Sequence, residues 1–166
     1  MVPTPAANPI HMHDDAAVAV LVVDDQLAVR EGLSRLIACA PMRLRWVRAA
    51  ATGAEALRLA ALLRPEVVVL DVDLAGEDGL ALIPQLSVSA GILVLTSHGD
   101  PTTRARAAAL GALAFIEKHQ PAADLLGAIV RIGHLRIGGE KTPAGQGTNS
   151  HPSLVAASAA LAAPRP

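Results

Sequence analysis

The chain has 166 residues, a formal net charge of −1 and 52% hydrophobic residues, with one Trp, one Phe and no Tyr. That length suits one domain with tails around an aliphatic core, and the near-neutral balance and missing stacking rings exclude a nucleic-acid surface as its main business. A single cysteine, Cys39, excludes an internal disulfide and any cysteine-built metal cluster.

Residues 1–16 carry three prolines and no periodicity, and read as a flexible extension. No basic stretch is followed by an apolar one, and no apolar run approaches the roughly 18 residues that span a bilayer. The expected compartment is therefore the cytoplasm, without a membrane. His11 and His13 stand isolated in this arm and are not read as a metal site.

Val18–Val23 is wholly apolar and stops on Asp24-Asp25. A run without alternation is a strand buried on both faces, which implies a parallel sheet under helices. A helix from Leu27 to Cys39 follows, its buried stripe built from Val29, Leu33, Leu36 and Ile37, and Pro41 ends it. Cys39, late in this helix, reads as a buried inert thiol. Arg43–Ala49 reads as a strand whose arginines mark a charged edge. Thr52 and Glu55 have capping-box spacing and open a helix that Pro65 stops.

Val67–Leu70 repeats the first pattern and ends on Asp71, ahead of a Gly-containing loop. Asp78 is placed to cap a helix over Gly79–Leu86, in which Pro84 is tolerable only near the first turn. Gly91–Ser97 is a fourth strand. Asp100-Pro101 starts a helix that Gly111 stops, Leu113–Glu117 is a fifth strand ending on Lys118, and Pro121 opens a last helix. Its expected stripe is Leu125, Leu126, Ile129, Val130 and Ile132. From Gly138 the texture turns Gly- and Pro-rich, and the Ala-rich stretch Leu154–Ala163 is too short and too weakly amphipathic to fold alone. The resulting division is 1–16 extension, 17–136 folded domain, 137–166 low-complexity tail.

Five strands alternating with five helices predict a flavodoxin-like α/β fold, (βα)5, with a parallel five-stranded sheet in the order 2-1-3-4-5 and helices on both faces. In such sheets ligands gather outside the carboxyl ends of the strands. Asp24, Asp25, Asp71, Thr96 and Lys118 all arrive at that edge. Three crowded carboxylates repel unless a cation neutralises them, and hard oxygen ligands suit Mg²⁺. With a lysine and a hydroxyl beside them, they are equipped to move a phosphoryl group onto a carboxylate, a transfer that needs alignment and charge neutralisation.

This constellation resembles the receiver domain of two-component response regulators, over roughly 17–136. The resemblance implies Asp71 as phosphoacceptor for a histidine kinase or phosphotransfer protein. It implies Mg²⁺ held by Asp25, by Asp24 through water, by Asp71 and by the backbone carbonyl of Asp73. Thr96 and Lys118 would bond phosphoryl oxygens, and Phe115 takes the place of the rotating switch aromatic. The stretch Asp25-Gln26-Leu27-Ala28-Val29-Arg30-Glu31-Gly32-Leu33 is most similar to receivers whose output is a LuxR-type helix-turn-helix. The composition after Gly139 does not fit that output, so the expectation is a stand-alone or truncated regulator working through protein contacts, without nucleic acid bound by this chain alone. A homodimer or contact with another regulator would use the fourth and fifth helices and the fifth strand.

Two departures from the family pattern stand out. Leu74-Ala75 replaces the usual Met-Pro, which is expected to loosen the loop. Asp73 brings an extra carboxylate, which either repels the phosphoryl group or orients a hydrolytic water. Two other readings compete. The acids are common helix caps, though capping leaves Thr96 and Lys118 at the same edge unexplained. Val-Val-Val-Leu-Asp71-Val-Asp73 also resembles the first motif of haloacid-dehalogenase-type phosphatases, with Asp71 as nucleophile and Asp73 as acid/base, but leaves the Asp24-Asp25 pair without a role.

Overall fold

The computed structural model describes residues 17–139. The proline-rich extension with His11 and His13, and the stretch Leu154–Ala163, lie outside the described residues. The elements in order are β1 (Val18–Val23), α1 (Leu27–Ala38), β2 (Leu44–Ala50), α2 (Gly53–Leu63), β3 (Val67–Asp71) and a short hairpin of β4 (Asp73–Leu74) and β5 (Glu77–Asp78). A 3₁₀ turn (Gly79–Leu82) then leads into α3 (Ile83–Leu86), followed by β6 (Gly91–Thr96), α4 (Pro101–Leu110), β7 (Ala114–Glu117) and α5 (Ala122–Gly139). The main sheet is parallel in the order β2-β1-β3-β6-β7. Counting its five strands alone, this is the expected 2-1-3-4-5 arrangement.

The apolar runs are central for the reason their sequence gives. Every residue of β1, β3 and β6 is buried, whereas the edge strands β2 and β7 are mixed. Alternate side chains divide between two cores. Leu21, Val23, Val68, Leu70, Ile92 and Val94 meet Ala56, Ile83 and Ala107 under α2, α3 and α4. Val20, Val22, Val67, Val69 and Leu93 meet Ile37, Leu125 and Ile129 under α1 and α5.

Several boundaries differ from expectation, each for a local reason. Only Ile37 of the α1 stripe is fully buried; Leu33 and Leu36 are half-buried against the core. Cys39 is exposed, not buried, because it caps the C-terminus of α1 and its bearing is two residues past that of Ile37. On α5 the small residues Ala128 and Gly133 are buried in place of Leu126 and Val130, letting the helix lie close on the sheet. The helix also continues through residues 137–139, which the sequence reading gave to the tail. The capping box at Thr52 forms with one change: Thr52 Oγ1 accepts from the Glu55 N–H, while Glu55 reaches one residue further back, to the Ala51 N–H. The Asp78-capped helix begins as 3₁₀ because the ring of Pro84 excludes the carbonyl of Leu80, which accepts from the Ile83 N–H instead. None of the described helices is long and apolar enough to cross a membrane.

The loop after Asp71 is the largest local surprise. Ala75 and Gly76 both have positive φ, 56° and 89°, and close the two-residue hairpin of β4 and β5. Proline cannot adopt that conformation, so Ala75 permits a turn that the proline expected there from the resemblance would forbid. Leu74 is buried and the Asp73 carboxylate accepts from the Gly76 N–H at 2.8 Å. These two contacts fasten the segment.

The close fit of α5 gives a direct test. A Cβ on Gly133 would lie 2.5 Å from Val18 Cγ2 and 2.9 Å from Cγ1. Gly133→Ala should destabilise by about 1–3 kcal/mol in urea unfolding, the range for overpacked cores. Adding Val18→Ala removes the obstruction, so the double variant should lose less than the two single losses combined.

Candidate phosphoryl-transfer site

The carboxyl ends of β1 and β3 deliver Asp24 and Asp71 side by side, because the strands pair in register up to Val23 and Leu70. Asp24 is 1% exposed and Asp71 6%, and Asp25 stands half-buried beside them. One carboxylate oxygen from each of Asp24, Asp25 and Asp71 lies within 4.8 Å of the others. Lys118, just beyond β7, turns inward and donates to Asp24 Oδ2 at 2.7 Å and to Asp71 Oδ2 at 2.6 Å. The other oxygens are also engaged: Asp24 Oδ1 accepts from the Gln26 N–H and Asp71 Oδ1 from the Val72 N–H.

The electrostatics follow from burial. Desolvation pushes the Asp71 carboxyl above its ordinary value; the Lys118 hydrogen bond and charge pull it down, the Asp24 charge adds to the rise, and the net direction is upward. Burial alone would lower Lys118, but the hydrogen bonds and charges of Asp24 and Asp71 outweigh it and hold the ammonium above its usual value. Three hard carboxylate donors gathered around a partly enclosed point fit a small divalent cation such as Mg²⁺.

The expected set is therefore brought together in part. Asp24, Asp25, Asp71 and Lys118 converge. Thr96, at the end of β6, is buried, but its hydroxyl is engaged by its own loop: it donates to the His98 carbonyl at 3.3 Å and accepts from the His98 N–H at 3.2 Å. The Asp73 side chain belongs to the hairpin turn and stands outside the carboxylate group. Phe115 is half-buried in β7, with the Arg104 guanidinium 4.4 Å above its ring. Arg104 also donates to the Phe115 carbonyl and pairs with Glu117.

Two contributors were not found from sequence. Gly79 lies so close to the end of β3 that a Cβ there would be 2.1 Å from the Asp71 carbonyl oxygen, so no other residue fits without moving the acceptor strand. Its sequence signal was only its place after Asp78. Arg30, on the first turn of α1, donates from one nitrogen to the carbonyls of both Asp24 and Asp25. Nothing in the spacing of a lone helical arginine announces that contact.

Comparison with known proteins places this geometry. The family model for the response regulator receiver domain matches residues 20–130. Among curated proteins, a protein-glutamate methylesterase/protein-glutamine glutaminase of Anaeromyxobacter dehalogenans is 33% identical over 91% of this chain and 48% of its own length. The chain thus spans about half of that relative. Among solved structures, a LuxR-family two-component response regulator from Aurantimonas sp. matches with TM-score 0.66 and 31% identity, over 73% of this chain and 88% of that one. A Burkholderia pseudomallei response regulator solved with a phosphorylated aspartic acid, calcium ion and citrate matches with TM-score 0.62 and 28% identity, over 74% and 73%. With the fold, the acidic cluster and the matched family in agreement, the chain belongs to the receiver domains of two-component response regulators.

Proposed function

We propose that Asp71 accepts the phosphoryl group from a histidine kinase or phosphotransfer protein, and that the domain then signals through protein contacts. The observation that carries this is the Lys118 ammonium 2.6 Å from Asp71 Oδ2, inside a cluster of three convergent carboxylates. In the transfer an Asp71 oxygen bonds to phosphorus as the donor's phosphorus–nitrogen bond breaks, and the electron pair leaves with the donor imidazole. Asp24, Asp25, Asp71 and the Asp73 carbonyl would hold Mg²⁺, which supplies charge neutralisation for the incoming phosphoryl oxygens. Lys118, already between two acids, exchanges one carboxylate partner for a phosphoryl oxygen. Thr96 gives up its His98 contacts to bond another, and Phe115 follows into the vacated space. The phosphorylated aspartate and calcium ion of the Burkholderia relative support this assignment.

On this reading the domain catalyses only its own aspartyl phosphorylation and dephosphorylation, in the cytoplasm, and is not a turnover enzyme. The phosphatase reading leaves the Asp24-Asp25 pair without a role, whereas that pair stands in the carboxylate group with Asp71. An apolar groove of about 330 Å³ between α1 and α5, lined by Val29, Leu33, Leu36, Ile116 and Leu125, opens beside Lys118 and offers a resting place for a macromolecular donor at the edge that holds Asp71. The face of α4, β7 and α5 is left for a homodimer or another regulator.

The primary test is phosphorylation by acetyl phosphate in Mg²⁺. One phosphoryl group per chain should appear on Asp71 by mass spectrometry, and Asp71→Asn should take up none; label elsewhere, or unchanged label in the variant, removes the assignment. Docking in the groove predicts that Leu36→Arg slows transfer from a histidine kinase about tenfold, equivalent to about 1.4 kcal/mol, while acetyl phosphate labelling stays near wild type. The raised Asp71 value gives a third outcome. A native carboxyl titrating above its unfolded value binds its proton more tightly when folded, so its stability contribution is lost as pH rises through the native value. In EDTA at pH 7, Asp71→Asn should therefore melt higher than wild type. The difference should shrink as the pH falls below the native Asp71 titration, where the wild-type group is also neutral.

A further inference from the structure

Arg30 is out of place by the rules of helix electrostatics. It stands in the first turn of α1, where a positive charge faces the positive end of the helix dipole. That turn contains no acid, and its N-cap residue Gln26 makes no side-chain capping bond. What Arg30 does instead is reach back: its Nη1 donates to the Asp24 carbonyl at 2.7 Å and to the Asp25 carbonyl at 3.1 Å. These two residues are treated differently by the rest of the molecule. The Asp24 carboxylate is fixed at both oxygens, by the Gln26 N–H and by Lys118. The Asp25 carboxylate has no hydrogen-bond partner among the described residues, so its direction depends on the backbone that carries it. Two side chains hold that backbone: Asp24 Oδ1 spans it to the Gln26 N–H, and Arg30 bonds its two carbonyls from the helix side.

We infer that Arg30 is a positioning residue for cation binding: it clamps the β1–α1 turn so that the Asp25 carboxylate faces Asp24 and Asp71 before the ion arrives. The inference rests on the reading that these carboxylates hold Mg²⁺. Two effects of removing Arg30 oppose each other. Losing a positive charge beside the acids should strengthen Mg²⁺ binding by simple Coulomb attraction. Losing the clamp should weaken it, because the ion must then order a turn that was previously fixed. The proposal assigns the larger effect to the clamp, since the guanidinium bonds both carbonyls of the turn that carries Asp25. The direction of the change in affinity therefore separates clamp from charge.

The experiment is calorimetric titration of MgCl₂ into the full chain at constant ionic strength, for wild type, Arg30→Met and Arg30→Lys. Met keeps the apolar stem without the donors; Lys restores a charged donor within reach of the carbonyls. Arg30→Met should raise the Mg²⁺ Kd roughly tenfold, the lower end of what outer-shell partners of metal ligands contribute, and Arg30→Lys should recover most of that loss. Acetyl phosphate labelling of Arg30→Met should return to the wild-type rate at saturating Mg²⁺, with only the half-saturating concentration raised. A purely structural arginine would instead lower the urea midpoint and leave Kd unchanged. An unchanged or tighter Kd in folded Arg30→Met overturns the clamp, as does a folded Arg30→Lys that binds no better than Arg30→Met; loss of binding in Asp25→Asn with Arg30→Met unaffected overturns the clamp alone. No Mg²⁺ binding by wild type overturns the metal reading, and the clamp with it.

Discussion

The site at the edge of the sheet depends on one ammonium group held between two buried carboxylates. Neighbouring strands in a sheet lie about 4.8 Å apart, so β7 is roughly two such spacings from β3 and three from β1 in the observed order. Lys118 crosses that width above the end of β6 and serves Asp71 and Asp24 together. A long stem ending in a compact charge with three donors is suited to this, because one Nζ serves two acids set on different strands. The contact ties β7 to β1 across the sheet at the edge where no helix covers it. Three carboxylates against one ammonium still leave a formal excess of two negative charges there. The same geometry leaves the edge short of positive charge, which a bound divalent cation would supply.

The sequence made this edge legible because burial and chemistry change at the same residue. Apolar strands that stop on Asp24, Asp71 and Thr96 specify both the sheet and which side chains stand at its rim, and the topology then brings Lys118 to them. What stayed hidden depends on the third dimension at finer scale. The hairpin at Ala75 was missed because alanine carries no signal for a left-handed turn; the usual Asn-Gly pattern is absent and Gly76 alone does not fix the register. Cys39 was misplaced because a helix stripe is read by period, and the period no longer applies once the helix has ended. The stripe of α5 was drawn through the largest residues, whereas the helix approaches the sheet through Ala128 and Gly133. Arg30 illustrates a different gap: a backbone carbonyl has no letter in the sequence, so a side chain whose partners are carbonyls looks unpartnered until the turn is built.

Thr96 shows where geometry and proposed chemistry are in tension, and the tension is informative. Its hydroxyl is occupied, yet by the backbone of the residue two further on and at 3.2–3.3 Å, at the long end for a hydroxyl. Charge-assisted hydrogen bonds to a phosphoryl oxygen are shorter and roughly twice as strong as neutral ones. On the proposed reading the exchange is favourable once phosphate is present and unfavourable before, which is the condition for a two-state element biased by a ligand.

The element next to that exchange is also the one the core holds least. The helix α4 buries in full only Ala107, a single methyl side chain, whereas α5 buries Leu125, Ala128, Ile129, Ile132 and Gly133. Much of its remaining attachment is polar and local: Arg104 spans the Phe115 ring, the Phe115 carbonyl and Glu117, and Arg106 pairs with Asp78 at the end of the hairpin. Exposed ion pairs of this kind contribute about 0–1 kcal/mol each, far less than a buried leucine's share of about 1.5–3 kcal/mol. Displacing α4 therefore costs less than displacing α5, and the two arginines link it to the hairpin after Asp71 and to the strand of Phe115. On the proposed reading, a change at Asp71 would meet least resistance at this helix, and the surface bounded by α4 and β7 would then respond to it.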